Sequence, residues 1–158
     1  MLEDLIEDFK NKNIDKLTEE LKEYNVEFVD KKNYAVIGSR KFTDYKLLKS
    51  TLDKYDDIGC IVSGGANGAD SLGKLYADEN NIPTIIHKAD WKNMSEPRLV
   101  KYNQYGAYNA LAGHKRNTLI INDCDIVIAF IKGKSSGTKD SISKAKKQNK
   151  EVIIIEVD

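Results

Sequence analysis

Five short apolar runs, separated by segments with helical spacing, constrain the fold of this chain more than any other feature. The runs are Tyr34–Gly38, Ile58–Val62, Pro83–His87, Asp125–Ile131 and Glu151–Val157. Helical spacing marks 43–55, where Tyr45, Leu48 and Leu52 share a face, and then 67–79, roughly 107–122 and 138–148. The runs are nearly continuous in apolar residues, as in strands buried on both faces of a parallel sheet covered by helices. Right-handed crossovers then give a doubly wound, Rossmann-like α/β fold. In such folds ligands sit beyond the C-terminal strand ends, where the strand order reverses. Residues 91–105 are polar and irregular, and the stretch 92–112 reads as a candidate lid.

The first 30 residues read differently. Leu2, Leu5, Ile6 and Phe9 follow the spacing of one helical face, and Ile14, Leu17, Leu21 and Tyr24 continue it after Asn11-Lys12-Asn13. The expected organisation is a helical extension over 1–30 and a Rossmann-like nucleotide-binding domain over 31–158. The two apolar stripes suit packing on the body or on a second copy, so a homo-oligomer, a dimer or higher, is expected. The chain carries 25 basic and 25 acidic residues. Ten of the acids and four lysines fall in residues 1–30, leaving that segment at −6 and the remainder at +6. A basic body suits an anionic ligand, and it equally suits ordinary solubilisation.

Two cysteines, Cys60 and Cys124, are too few for a disulfide framework, and both adjoin apolar runs. No Cys/His cluster has zinc spacing, and neither a metal nor a cofactor is expected. No apolar run reaches about 18 residues, which gives no membrane span. The acidic N-terminus is unlike a secretory signal, and a cytoplasmic location is expected.

Candidate chemistry lies in the loops after the strands. In Ser63-Gly64-Gly65-Ala66-Asn67-Gly68 the glycines admit positive φ and close backbone approach, and the helix that follows presents unpaired N–H groups. Such a loop is a phosphate site or simply a tight turn. A second loop, Lys132-Gly133-Lys134-Ser135-Ser136-Gly137-Thr138, repeats the pattern after 125–131. Gly38-Ser39-Arg40 adds a hydroxyl and a guanidinium at a third strand end. Neither glycine loop is a Walker P-loop or the dinucleotide fingerprint. Asp70 is open to two readings. It completes a capping box with Asn67 as N-cap, or it faces sugar hydroxyls and acts as a general acid/base.

Gly113-His114-Lys115-Arg116-Asn117 is a further cluster, in which Arg116 can fork onto a phosphate and Asn117 can reach a base or ribose. A solvated helix surface is the alternative. Trp91 can stack on a nucleobase or cap the core. The histidines, His87 and His114, read as plain surface residues rather than as catalytic ones.

In this order the motifs resemble the SLOG superfamily of Rossmann-like proteins, in particular its small YspA-like, YpsA-related branch. The matching residues are Ile37-Gly38-Ser39-Arg40, Ser63–Asp70, Ala89-Asp90-Trp91, Gly113–Asn117, Asp125–Phe130 and Ser136-Gly137-Thr138. The resemblance implies binding of nucleotides or nucleotide-derived molecules, with Arg40, Gly64, Gly65, Asp70, Arg116, Asn117, Gly137 and Thr138 lining the pocket. Some relatives, the cytokinin-activating phosphoribohydrolases, cleave the bond between base and ribose. Others resemble sensors of nucleotide signals in bacterial and phage conflict. The DNA-processing protein A branch binds single-stranded DNA. The phosphoribohydrolases carry a Glu after the Gly-Thr pair, where this chain has Lys139-Asp140-Ser141.

The expected function is therefore binding of a phosphorylated nucleotide or ADP-ribose-like ligand, as a sensor or sequestering protein. An N-glycosidase with Asp70 and Arg116 as catalytic residues is the alternative. The ligand contacts would come from Gly38, Ser39, Arg40, Ser63, Gly64, Gly65, Asn67, Gly68, Trp91, Asn117, Gly133, Ser136, Gly137 and Thr138. Nucleic-acid binding is a further alternative, set against basic residues that look focused on loops.

Overall fold

The computed structural model describes residues 30–158. The helical extension expected over 1–30 lies, apart from Asp30, outside the described residues. In chain order the elements are β1 (Lys32–Gly38), α1 (Tyr45–Leu52), β2 (Ile58–Ser63), α2 (Ala69–Glu79) and β3 (Thr84–Ile86). A single 3-10 turn (Pro97–Leu99) and two short strands, β4 (Val100–Asn103) and β5 (Gly106–Asn109), come next. The chain ends with α3 (Ala112–Asp123), β6 (Ile126–Lys132), α4 (Ser136–Lys147) and β7 (Glu151–Val157).

Five strands form one parallel sheet in the order β3-β2-β1-β6-β7. From β1 the chain winds outward to β2 and β3, then crosses back to place β6 on the other side of β1. In register, Tyr34 of β1 lies beside Ile61 of β2 and Ile126 of β6.

Alternate residues of the central strands feed two cores because successive side chains of a strand point to opposite faces. On one face Tyr34, Val36, Ile61, Ile128 and Phe130 pack against Leu48 and Leu52 of α1 and Tyr76 of α2. On the other, Ala35, Ile37, Val62, Val127 and Ala129 pack against Ile120 and Ile121 of α3 and Ile142 of α4. Burial on both faces is why the runs lack apolar–polar alternation. Both cysteines are free and buried. Among the described residues no helix is long and apolar enough to cross a membrane.

Two expectations are corrected. The helix read over roughly 107–122 starts at Ala112, and residues 107–109 belong to β5. The stretch 91–105 is not irregular throughout, since β4 and β5 pair as an antiparallel hairpin, Lys101 opposite Tyr108 and Tyr102 opposite Ala107. Strands of four residues are too short for a period of two to stand out, which hid the hairpin from the sequence.

Candidate functional site

β1 and β6 are neighbours from which the strand order runs in opposite directions, so their C-terminal ends frame the crevice of a doubly wound sheet. A cleft of about 640 Å³ opens there. Gly38, Ser39 and Arg40 enter it from the end of β1, Asp70 from α2, and Arg116 and Asn117 from α3. Gly133, Ser136, Gly137 and Thr138 form its β6–α4 side, and Trp91 lines it from the segment before the hairpin. Ser63, Gly64, Gly65, Asn67 and Gly68 are not among its lining residues.

The two glycine loops differ in what occupies their amides. In the β2–α2 loop protein oxygens take the Gly64 and Ala69 amides. Asp70, only 6% exposed, accepts the Gly64 amide on Oδ2 at 2.9 Å. The Ala69 amide donates to the Ser39 carbonyl at 3.3 Å. Gly68, not Asn67, is the N-cap of α2, and no side chain caps that helix. The capping box expected from Asn67 and Asp70 is therefore absent, because the carboxylate reaches back to the turn instead. Gly68 has φ +82°, and a methyl there would lie 2.6 Å from the Arg40 carbonyl oxygen and also meet that of Ser39. This glycine is required by the close passage of the β1 turn. Burial pushes the Asp70 carboxyl up to about 6, against the opposing pull of the Gly64 amide, Arg116, the Ala66 backbone and Arg40.

In the β6–α4 loop a cap hydroxyl, not a carboxylate, takes an amide. Ser135 is the N-cap of α4, accepting the Thr138 amide on its hydroxyl at 3.4 Å. The Ser135 and Thr138 hydroxyls are 2.6 Å apart. Among the described residues the Ser136 and Gly137 amides have no acceptor, and a methyl at Gly133 or Gly137 would meet nothing within 4 Å. Arg40, Lys41, Lys132 and Lys134 also line the cleft, and none has a carboxylate partner among the described residues. A helix N-terminus and four cations that share one cleft favour negative charge there.

A hydrogen-bonded chain joins the two loops. Arg116 donates from Nη1 to the Gly64 carbonyl at 2.7 Å and from Nε to Asn117 Oδ1 at 3.1 Å. Asn117 donates from Nδ2 to the Gly137 carbonyl at 3.2 Å and to Asp140 Oδ2 at 3.1 Å. Asp140 also receives Lys144 Nζ at 2.7 Å and lies 3.2 Å from His114 Nδ1. Burial opposes its ionisation, but the bonds from Lys144, Asn117 and His114 outweigh it and hold Asp140 below the usual carboxylate range. Ser39 likewise ties β1 to β6, its Oγ accepting the Lys132 amide at 2.8 Å. Asn117 and Ser39, expected as ligand contacts, thus have their side chains engaged by the protein. Arg116 lines the cleft while fixing Gly64.

Lys132 and Lys134 were named from the sequence only as members of the second glycine loop, not as ligand contacts, and Lys41, next to Arg40, was not named at all. Ser141, not named as a ligand contact either, is buried yet lines the cleft three residues after Thr138, one turn along the same helix face. Among the described residues no group of three or more His, Cys, Asp or Glu is placed to hold a metal.

Comparison with known proteins follows the same lines. Residues 35–94 match the YAcAr family, the YspA, cpYpsA-related SLOG family, so the resemblance read from the motifs is shown for that segment. No curated protein sequence matches. Among solved structures, DNA processing protein A from Streptococcus pneumoniae superposes with a TM-score of 0.60 at 21% identity, covering 82% of this chain and 51% of that one. The chain thus spans about half the length of that protein. The molybdenum cofactor binding protein from Rippkaea orientalis superposes with a TM-score of 0.55 at 20% identity, covering 83% of this chain and 80% of that one. At these identities the two structures speak for the Rossmann-like fold.

Proposed function

We propose that the cleft binds a phosphorylated nucleotide or nucleotide-derived small molecule, with its phosphate at the start of α4, and that the protein acts as a sensor or sequestering protein for that molecule. The observation that carries this reading is the pair of unengaged amides at Ser136 and Gly137, set among Arg40, Lys41, Lys132 and Lys134. A phosphate would accept from both amides and neutralise several cations at once. A small-molecule ligand is also supported by the similarity to a protein named for binding the molybdenum cofactor. The expected location in the cytoplasm and the expected self-association are kept as part of the proposal.

A specific observation favours a second reading, hydrolysis of an N-glycosidic bond. Asp70 lines the cleft with a carboxyl pushed up to about 6, which places it near the range useful to a general acid at neutral pH. Its bond to the Gly64 amide and the lack, among the described residues, of a second carboxylate lining the cleft favour binding over turnover.

Mass spectrometry of small molecules released from the purified protein tests both readings. A phosphorylated nucleoside derivative is expected. A ligand without phosphate would refute the assignment. Release of free base from added nucleoside monophosphates, abolished by Asp70→Asn, would establish the hydrolase in place of the sensor.

A further inference from the structure

Trp91 is held from three directions yet keeps part of its surface uncovered. It lines the cleft at 37% exposure. Tyr108 of β5 meets its ring edge-on, with centroids 6.3 Å apart and planes at 62°. The Trp91 carbonyl accepts the Asn109 amide at 2.6 Å, and Asn109 donates from Nδ2 to the Asn93 carbonyl at 3.0 Å. The base of the hairpin thereby clamps the segment that bears the tryptophan. The third constraint comes from α3. A methyl at Gly113 would lie 2.8 Å from Trp91 Cη2, so the ring rests directly on the helix backbone. Glycine in the first turn of α3 weakens that helix, and the seat it leaves for the indole accounts for its presence.

Rigid placement is what a recognition surface needs and what a loosely exposed aromatic lacks. The next residue, His114, also lines the cleft. Its Nδ1 is held by Asp140, which leaves Nε2 available to a ligand edge. An aromatic face beside a polar ring nitrogen matches a planar heteroaromatic ring, which stacks on one and hydrogen-bonds to the other.

We propose that Trp91 is the stacking platform for the base of the cleft's ligand, with Tyr108 and Gly113 as the residues that position it. This rests on the nucleotide reading above and extends it to the base. Tyr108 and Gly113 act through the indole and need not touch the ligand.

Trp91 is the sole tryptophan of the chain, so its emission reports this subsite alone. The full chain is titrated with adenosine, guanosine and uridine monophosphates and with ribose phosphate, by fluorescence and by calorimetry. At least one nucleotide is expected to quench the emission and to bind about tenfold or more tightly than ribose phosphate. In Gly113→Ala, which adds a better helix former, that ratio should collapse towards one while the helical signal in circular dichroism is kept. Trp91→Leu, read by calorimetry, should collapse the same ratio by removing the platform itself. Nucleotides that bind no better than ribose phosphate, with unchanged emission, would overturn the platform and leave the phosphate site standing. Failure of all four ligands to bind would overturn both. A full ratio in both variants would also overturn the platform.

Discussion

Asp70 closes the glycine turn on itself: its Oδ2 accepts the Gly64 amide at 2.9 Å across the loop that would otherwise offer that amide to a ligand. The carboxylate is buried, and the bond to Gly64 with the nearby Arg116 and Arg40 does not fully offset its loss of water. The three glycines therefore serve a turn folded round a protein carboxylate.

Burial of this carboxyl, which outweighs the bond to Gly64, gives a pH dependence with a definite sign. Burial pushes the Asp70 carboxyl up to about 6 from its ordinary value of 3.8, so the folded state holds its proton more tightly. The contribution is full below about pH 4 and is lost as pH rises through about 6, amounting to roughly 3 kcal/mol. Asp70→Asn keeps an acceptor for the Gly64 amide and does not ionise. The stability of the wild type minus that of Asp70→Asn, from urea melts, should fall between about pH 4 and 7. A flat or rising difference would show that Arg116 and Arg40 compensate the buried charge completely.

The two glycine loops should respond oppositely to alanine. Gly68→Ala forces a methyl into the Ser39 and Arg40 carbonyls at positive φ and should cost about 2 kcal/mol or more. Gly137→Ala adds a methyl in open space at the start of α4 and should leave stability unchanged or slightly raised. The same methyl stands beside the amides of the proposed phosphate site, so ligand affinity should fall. Thermal melts and calorimetry on both variants check the contrast, and equal destabilisation would contradict it.

Asn117 should be a structural bridge. Its removal leaves Arg116 Nε and an oxygen of Asp140 each without one partner. Asn117→Ala is expected to cost about 1–3 kcal/mol. A double-mutant cycle with Asp140→Ala should give a coupling of about 0.5 kcal/mol or more. Additive effects would show that the bridge carries no energy.

Much of this was legible in the sequence, for physical reasons that differ by element. Runs such as Ile126–Lys132 are buried on both faces and announce themselves by continuous apolarity, which gave the sheet and its helices. The loops after β1, β2 and β6 were found because glycines and hydroxyls at strand ends have few other uses. Their roles were harder to read. Gly68 looks the same in a one-dimensional reading whether it approaches a phosphate or the carbonyl of Ser39. Asp70 could not be told from a capping residue, because the loop curvature that brings it to Gly64 depends on tertiary packing. The bridge from Arg116 through Asn117 to Asp140 spans two helices with no fixed sequence spacing. The hairpin carrying Tyr108 is too short for its period to register.

The phosphate site at the start of α4 is tested most directly by calorimetry of adenosine against adenosine monophosphate, with guanosine and uridine pairs alongside, at low and high salt. At least one monophosphate should bind about tenfold or more tightly than its nucleoside, the range of a phosphate held by charge-assisted hydrogen bonds. That advantage should shrink as salt screens Arg40, Lys41, Lys132 and Lys134, and it should shrink again in Gly137→Ala. Equal affinity for every nucleoside and its monophosphate, insensitive to salt, would contradict a phosphate site in this cleft.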